Sequence, residues 1–430
     1  MNRITRRGLA LAVVAVLGGA TGCSGAGAGD DAGAVTITFS SYNYGTQGAA
    51  GTGTQALLDR FAELHPEITV RPEAVPTADV LTKTKAAVAA GDPPDVVQLG
   101  YSKLAEGLET LPTRSLEDLA GDGWRGHVEG IVAGPVQAGL RKGTVHALPY
   151  TISIPTMLYN ADLFRAAGLD PADPPESMTE VRMAAQAIAN AGHHGVYFGI
   201  VDSAKSDYLT QSVINSAGGA LLDESGRAAV DSPEAVDGIR QLQQLTTDKL
   251  QPAVTTDDAL AAFAAGDLGM LVVSTAVLGN LQAAAKGKFE LRTAKFPSFG
   301  RGPAKPTHSG AALIVLSDDP AKQRAAWEFV KFLTSDEGYS LITTGIGYLP
   351  LRANLVSGVL AGYFRDNPLL LPTIEQLDTM QPYRSFPGPK ANQATVLLQD
   401  DAIAPIVLRG ADPEATLRKT ADRIRELVGS

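Results

Sequence analysis

Cysteine is almost absent from this 430-residue chain, which contains one, Cys23. A single thiol excludes internal disulfides, CxxC redox chemistry, four-cysteine zinc sites and cysteine-held iron–sulfur clusters. The chain also lacks an excess of positive charge, since 36 basic residues stand against 46 acidic ones for a formal net charge of −10. A broad positive field drives non-specific nucleic-acid binding, so we expect no nucleic-acid partner.

Common catalytic signatures are missing too. The sequence has no GxSxG nucleophile elbow, no HExxH zinc helix and no GxxxxGK(S/T) phosphate loop. Gly51–Ala56 approximates a dinucleotide fingerprint, but eleven residues, Ser40 to Ala50, lie between it and Phe39 of the preceding strand, so its glycines would not form the phosphate cradle. The adjacent His193 and His194 cannot direct both rings to one metal on a regular helix or strand. The residues therefore predict no cofactor and no metal site.

The N-terminal segment has the order of an export signal. Arginines precede a run of nine apolar residues, Leu9–Leu17, and small residues follow it up to Cys23. Nine residues at about 1.5 Å rise each do not span a bilayer core of about 30 Å. No later run reaches about 18 uninterrupted apolar residues.

Residues 20–23, Ala-Thr-Gly-Cys, resemble a bacterial lipoprotein cleavage box, in which small side chains precede a thiol that receives the lipid. We predict a signal peptide over residues 1–22, lipidation of Cys23 and a flexible tether over residues 23–34. The protein would then be extracytoplasmic and anchored to the cell membrane. An ordinary secretion signal with an incidental cysteine is one alternative, and the pair Arg6 and Arg7 leaves twin-arginine export open.

After the tether, the pattern alternates strands and helices. Val35–Ser40 alternates apolar and polar residues as a strand, and from Thr54 the apolar residues take helical spacing. A phrase of helix, Gly-Asp turn and buried strand occurs twice, ending in Asp95–Leu99 and in Leu268–Val273. Such alternation predicts an α/β fold with helices packed on mostly parallel sheets. The repeated phrase fits either two similar lobes or a common βα unit.

Longer phrases resemble the extracellular solute-binding proteins of ABC importers, the group that includes maltodextrin-binding and glycerol-phosphate-binding proteins. In chain order these phrases are Leu148–Tyr150, Pro155–Pro171, Phe263–Met270, Trp327–Gly338 and Gly347–Pro350. Each phrase alone is weak, but their order and spacing extend the resemblance over nearly all of residues 35–430.

The resemblance implies a two-lobed, periplasmic-binding-protein-like fold of type II, with the ligand cleft between lobes joined by hinge crossovers. It assigns residues 35–148 and 308–348 to lobe 1, and residues 149–307 and 349–430 to lobe 2. A ligand that touches both lobes would favour the closed state by its differential affinity. The resemblance also implies a monomeric, non-enzymatic receptor that delivers its ligand to permease subunits in the membrane.

Strand-end loops are where open α/β sheets bind ligands, and the family's contact positions match residues there. The candidate ligand-binding residues are Tyr42, Asn43, Tyr44, Gln47, Tyr101, Ser153, Ser274, Thr275, Ser309, Gly310, Tyr348 and Arg384. The tyrosines would offer an apolar surface to the C–H face of a sugar ring. Polar side chains, including Gln98, would surround its hydroxyl groups.

Three positions depart from the glycerol-phosphate branch of the family. Its glutamate after the third strand is Tyr101 here, its tyrosine in the preceding loop falls near Ala78, and its phosphate-binding arginine aligns near Pro387. Only Arg384 or Lys390 lies close enough in sequence to replace that arginine, and a phosphate without a bidentate arginine loses its best partner. We therefore predict a neutral carbohydrate ligand. A glycerol phosphate or glycerophosphodiester ligand, an exported sugar-active enzyme and a structural surface protein are the alternatives.

Overall fold

The computed structural model describes residues 34–202, 204 and 207–429. From Ala34 onward the chain packs as one unit. The predicted signal peptide, the lipidation site Cys23 and nearly all of the predicted tether lie outside the described residues, so these remain predictions. No helix in the described part of the chain is both long and apolar enough to cross a bilayer.

The strands are β1 Val35–Ser41, β2 Ile68–Ala74, β3 Val96–Gly100, β4 Leu140–Arg141, β5 Thr144–Val145, β6 Ala147–Ser153, β7 Pro155–Asn160, β8 His194–Phe198, β9 Leu268–Ser274, β10 Leu291–Ala294 and β11 Ser309–Val315. The α-helices are α1 Ala49–Leu64, α2 Val80–Ala90, α3 Tyr101–Thr110, α4 Leu116–Ala120, α5 Trp124–Val128, α6 Ala133–Gln137, α7 Ala161–Ala166, α8 Met178–Asn190, α9 Tyr208–Ala217, α10 Pro233–Thr247, α11 Thr256–Ala265, α12 Leu278–Ala285, α13 Pro320–Leu333, α14 Asp336–Leu341, α15 Ala353–Ser357, α16 Ala361–Asp366, α17 Leu371–Ile374, α18 Ala391–Leu398, α19 Ala404–Arg409 and α20 Pro413–Val428.

Two main sheets form the framework. In the first, of order β2-β1-β3-β11-β6, β1 runs parallel to β2 and β3, whereas β11 runs antiparallel to β3 and β6. In the second, of order β10-β7-β9-β8, β8 and β9 are parallel and β7 is antiparallel to both of its neighbours. The α/β prediction is confirmed, but the expectation of mostly parallel sheets is wrong. Strands β6 and β7, on either side of the crossing from the first sheet to the second, run antiparallel to their neighbours, and so does β11, which follows the return crossing.

The helix ends follow the chemistry of the sequence. Helices α2 and α11, which carry the repeated phrase, end at Gly91 and Gly266 in the left-handed conformation, with φ of 78° and 94°. Helix α13 begins as predicted, because the Asp319 carboxylate accepts a hydrogen bond from the N–H of Ala321 at 2.7 Å while Pro320 occupies the first turn.

Helices α1 and α13 cover one face of the first sheet. Phe329 of α13 packs edge-on against Phe39 of β1 and Phe61 of α1, with ring centroids 5.1 and 5.0 Å apart. Trp327, predicted from its helical spacing to lie in the core, is 7% exposed, and its ring centroid lies 6.3 Å from that of Trp124. The long aromatic side chains thus fix this helical layer on the sheet.

The chain passes from the first sheet to the second at Ile154. Ser153, the last residue of β6, pairs with Ser309 in the first sheet, and Pro155, the first residue of β7, pairs with Ser274 in the second. The sequence placed this boundary at residue 149, and the division into lobes remains a prediction. The chain crosses back before β11, and Arg352 then donates hydrogen bonds to the carbonyls of residues 127, 129 and 334 in the helical layer of the first sheet.

Candidate functional site: a cleft at the strand ends

Four predicted residues meet where the two sheets join. The Ser274 hydroxyl donates to Oγ of Ser153 at 2.8 Å and accepts a hydrogen bond from the backbone N–H of residue 276. The backbone N–H of Thr275 donates to the carbonyl of Ile154 at 3.1 Å. Ser309 lies opposite Ser153 in the first sheet. The strand directions place these contacts by the carboxyl ends of β1 and β3 in the first sheet and of β8 and β9 in the second, which is the position of the predicted cleft.

Two predicted tyrosines lie together on the wall formed by the first sheet. Tyr42 follows β1, and burial raises its pKa well above the ordinary value, with the nearby Tyr348 adding to the effect. Burial also raises the pKa of Tyr348 to about 12. Both hydroxyls are therefore neutral at physiological pH. They present aromatic faces and uncharged hydroxyl groups.

Tyr101, the first residue of α3, belongs to a second aromatic cluster. Its ring meets the edge of His308 at a centroid distance of 4.7 Å, and the ring of Tyr383 lies 6.4 Å away. The backbone N–H of Tyr383 donates to Nε2 of His308 at 3.1 Å, and burial lowers the pKa of His308 to about 4. The imidazole is thus neutral at pH 7. This cluster joins α3, the segment entering β11 and the segment before α18.

Three buried polar atoms near the strand ends have no protein partner: Nδ2 of Asn43, Nε2 of Gln98 and the hydroxyl of Tyr101. The other end of the Gln98 amide is held, because its Oε1 accepts a hydrogen bond from the Ser41 hydroxyl at 2.7 Å. A buried donor without a partner costs about 1–3 kcal/mol, so nearly all such groups in proteins are paired. The amides of Gln98 and Asn43 lie beside the hydroxyls of Tyr42 and Tyr348. That ligand atoms complete the hydrogen bonding of these three groups remains a prediction.

The sequence did not point to a buried charged cluster beside this wall. Asp207, which is 0% exposed, accepts hydrogen bonds from the Tyr383 hydroxyl and, at 3.0 Å, from Nε2 of Gln211. Burial raises the pKa of Asp207 to about 6, although its hydrogen bonds and the charge of Lys103 oppose that shift. Lys103 is 4% exposed, and burial lowers its pKa while the charges of Asp202 and Asp207 oppose the change.

Spacing alone gave no signal for this cluster. Asp207 and Tyr383 are 176 residues apart, and neither belongs to a recognisable motif. A lysine in an amphipathic helix such as α3 is ordinarily solvated, so the burial of Lys103 follows only from the tertiary packing.

The other candidate residues are exposed or half-buried. Gln47 is exposed, and Tyr44 is half-buried against the core beneath α1. Arg384 has an exposed side chain, whereas its backbone N–H and carbonyl pair with the Gln211 amide at 3.1 and 2.8 Å. Lys390 lines a surface groove together with residues 393, 397, 423, 426 and 427. The ligand contacts of all these residues remain predictions.

Gly310 lies in β11 next to Ser309 and has φ of +122°. A Cβ atom at this position would lie 2.1 Å from the carbonyl oxygen of Thr151 on the adjacent strand. The backbones of β6 and β11 therefore approach each other more closely than a side chain allows. The described residues hold no group of three or more His, Cys, Asp or Glu side chains placed to bind a metal ion.

The sequence model for bacterial extracellular solute-binding proteins matches residues 44–340. The chain belongs to this family. Because its members bind solutes and are not enzymes, the prediction of a non-enzymatic protein is confirmed. The predicted resemblance to the solute-binding proteins of ABC importers is therefore confirmed.

Individual relatives agree with the family. A Brucella abortus protein described only as a candidate binding protein is 24% identical over 75% of this chain and 77% of its own length. The sn-glycerol-3-phosphate-binding periplasmic protein UgpB of Agrobacterium fabrum is 27% identical over 53% of each chain.

Solved structures agree with the fold. UgpB from Mycobacterium tuberculosis in complex with glycerophosphocholine matches with a TM-score of 0.78 at 24% identity, over 92% of this chain and 99% of that one. The cyclic α-maltosyl-1,6-maltose-binding protein of Arthrobacter globiformis matches with a TM-score of 0.77 at 21% identity, over the same shares. The prediction of a type II periplasmic-binding-protein-like fold is confirmed.

Proposed function

We propose that this solute-binding protein is the lipid-anchored receptor of an ABC importer, and that it captures a neutral carbohydrate in the cleft and delivers it to the membrane permease. The chemistry of the cleft wall carries the proposal. Buried neutral tyrosines lie beside unpartnered polar atoms of Asn43, Gln98 and Tyr101. Sugar rings combine an apolar C–H face with hydroxyl groups that donate and accept hydrogen bonds, which suits this wall.

The charges near the cleft favour a neutral ligand over a phosphate. The buried cation Lys103 faces the carboxylates of Asp202 and Asp207, so its charge is already balanced. Arg384 points its side chain to solvent. A phosphate gains most from a bidentate guanidinium or from several N–H donors, and no arginine side chain of the described residues is buried among the wall residues named above.

A thermal-shift screen of the full-length chain carrying Cys23→Ser against neutral sugars and glycerol phosphates tests the proposal. A ligand at 100 times its dissociation constant stabilises the folded state by about 2.7 kcal/mol. We expect a clear upward shift with at least one neutral sugar. A shift with glycerol phosphates alone would contradict the proposed ligand class, and turnover of a sugar would contradict the receptor role.

We expect Tyr101→Phe to weaken sugar binding about tenfold or more without lowering the free energy of unfolding. The Tyr101 hydroxyl has no protein partner, so its removal costs the fold nothing, whereas the ligand loses a hydrogen bond. Titration calorimetry and urea unfolding measure the two effects.

The matched control for Tyr101→Phe is Tyr339→Phe. The buried Tyr339 hydroxyl donates to the carbonyl of Pro149 at 2.6 Å. Its removal should cost about 1–2 kcal/mol of stability and leave sugar affinity unchanged. If Tyr101→Phe instead destabilised the fold and kept full affinity, the hydroxyl would not be a ligand contact.

A glycerophosphodiester is the second candidate ligand, since the Mycobacterium tuberculosis structure that matches this fold holds glycerophosphocholine. For such a ligand, Arg384 and Lys390 are the cations nearest in sequence to Pro387, where the phosphate-binding arginine of the glycerol-phosphate branch aligns. Arg384→Ala and Lys390→Ala should then each weaken binding of glycerol 3-phosphate or glycerophosphocholine. The same variants should leave the affinity for a neutral sugar unchanged.

We expect Cys23→Ser to release the protein from the membrane fraction. The lipid is attached at the thiol, and without it no other anchor is proposed. Fractionation of cells that express the two forms, followed by immunoblotting, gives the distribution. Retention of Cys23→Ser on membranes to the same extent as the wild type would contradict lipid anchoring at this residue.

A further inference from the structure

Helix α3, in predicted lobe 1, packs against α18, in predicted lobe 2. The Glu106 carboxylate of α3 accepts a hydrogen bond from the backbone N–H of Asn392, in the first turn of α18, at 2.9 Å. The same carboxylate pairs with Lys85 at 2.5 Å. Leu104 and Leu108 of α3 belong to the same buried apolar cluster as Ala391 of α18.

The two predicted lobes also approach each other at Gly48 and Asn280. Gly48, just before α1, lies so close to α12 that a Cβ atom on it would be 2.6 Å from Oδ1 of Asn280. Gly48 has φ of +79°, a conformation that glycine adopts without strain. Helix α12 follows β9, so this contact joins the loop after β1 to the second sheet.

These two contacts lie on opposite faces of the first sheet. Helix α1 packs with Phe329 of α13 on one face. The side chains of α3 pack with Val97 and Leu99 of β3 in the other cluster. A cleft at the carboxyl edge of a sheet has its two ends at the two faces of that sheet, so α3–α18 and Gly48–Asn280 close both ends.

We propose, on the basis of the proposed sugar-binding function, that the ligand is a short saccharide of one or two rings that the closed protein encloses completely. A longer linear saccharide bound at the strand ends must leave the cleft between the lobes. The contacts at Glu106–Asn392 and Gly48–Asn280 occupy the two exits. The unpartnered atoms of Asn43, Gln98 and Tyr101 belong to residues at or near the carboxyl ends of β1 and β3, where the proposed ligand binds.

Glu106 then acts as a specificity-determining residue without touching the ligand. Its carboxylate is 11% exposed and joins the lobes, so it stabilises the closed state that holds the sugar. Removing it weakens closure, which lowers the affinity for a short ligand chiefly through faster dissociation.

Titration calorimetry with the full-length chain carrying Cys23→Ser tests the proposal. The probes are glucose, galactose, mannose, maltose, cellobiose and mannobiose, set against maltotetraose, cellotetraose and mannotetraose. We expect binding of at least one mono- or disaccharide and at least hundredfold weaker binding of the matching tetrasaccharide. Equal or tighter binding of a tetrasaccharide overturns the inference alone. Failure of every saccharide to bind overturns both the inference and the proposed function.

Variants in α3 provide the second arm. Glu106→Ala should weaken binding of the short sugar about tenfold, with the change in the dissociation rate, whereas Glu106→Gln, which still accepts from Asn392, should retain most of the affinity. Glu109→Ala is the matched control, because Glu109 is exposed on the same helix. Unchanged affinity and dissociation rate in a folded Glu106→Ala variant would overturn the role of the α3–α18 contact in enclosing the ligand.

Discussion

Gly310→Ala is expected to destabilise the protein by about 3 kcal/mol or more, from backbone strain and a clash that cannot relax locally. The left-handed φ of +122° disfavours any side chain, and the new Cβ would lie 2.1 Å from the Thr151 carbonyl oxygen and 3.0 Å from the Cα of Ile152. Both neighbours are backbone atoms of β6. Relief of the clash would therefore separate β11 from β6 next to the crossover at Ile154. Urea unfolding followed by circular dichroism measures the loss.

Gly279→Ala is the matched control for Gly310→Ala. Gly279 lies in α12 and is exposed, and a Cβ added to it would have no neighbouring atom within 4 Å. Alanine there should stabilise the helix by about 0.5–1 kcal/mol, because glycine loses more backbone entropy on folding. If the two variants had the same stability, the close approach of β6 and β11 would be refuted. Normal stability with lost ligand binding in Gly310→Ala would leave Gly310 as a ligand contact only.

The features of the fold that the sequence could predict are those that local chemistry decides. Asp319 and Pro320 specify the start of α13 because both act within the first turn of the helix. Gly91 and Gly266 specify helix ends because both adopt left-handed backbone. The direction of β11 was not predictable in this way. Its partners, β3 and β6, lie more than 150 residues earlier, and an antiparallel pair and a parallel pair can share the same apolar pattern.

The same distinction between local chemistry and tertiary packing applies to the candidate site. Family resemblance selected Ser153 and Ser274 as candidate ligand-binding residues, and the structure places their hydroxyl oxygens 2.8 Å apart. No local pattern reveals that Asp207 meets Tyr383, because their contact depends on how α9 packs against the segment before α18. Burial of a carboxylate is also unfavourable for the charged form, so propensity and hydropathy both predict a solvated aspartate at this position.

The second large expected effect is a pH dependence of stability that comes from Asp207. Burial raises its pKa in the folded protein to about 6, above the ordinary value of 3.8. The folded state therefore binds the proton more tightly than the unfolded state, and this stabilisation is fully present below pH 3.8. It is lost as the pH rises through about 6. A shift of this size corresponds to about 3 kcal/mol.

Asp207→Asn isolates this contribution. The Asn amide can donate to the Tyr383 hydroxyl while its oxygen accepts from Gln211, so the hydrogen bonds are kept and the titration is removed. The free energy of unfolding of the wild type minus that of Asp207→Asn should then fall by about 2 kcal/mol between pH 4 and pH 7. Urea titrations at each pH give both values.

The free energy of unfolding of Asp207→Asn is subtracted from that of the wild type because two histidines change the stability with pH in the opposite direction. Burial lowers the pKa of His308 and of His127 to about 4, so their contribution to stability is present above pH 6.5 and lost as the pH falls toward 4. Both histidines are unchanged in Asp207→Asn and cancel in the subtraction. Tyr383→Phe removes a hydrogen bond that lowers the pKa of Asp207, so in this variant the loss of stability should continue to a pH above 6. A flat difference between wild type and Asp207→Asn from pH 4 to pH 7 would show that Asp207 is ionised throughout, which would require Lys103 and the surrounding hydrogen bonds to outweigh its burial.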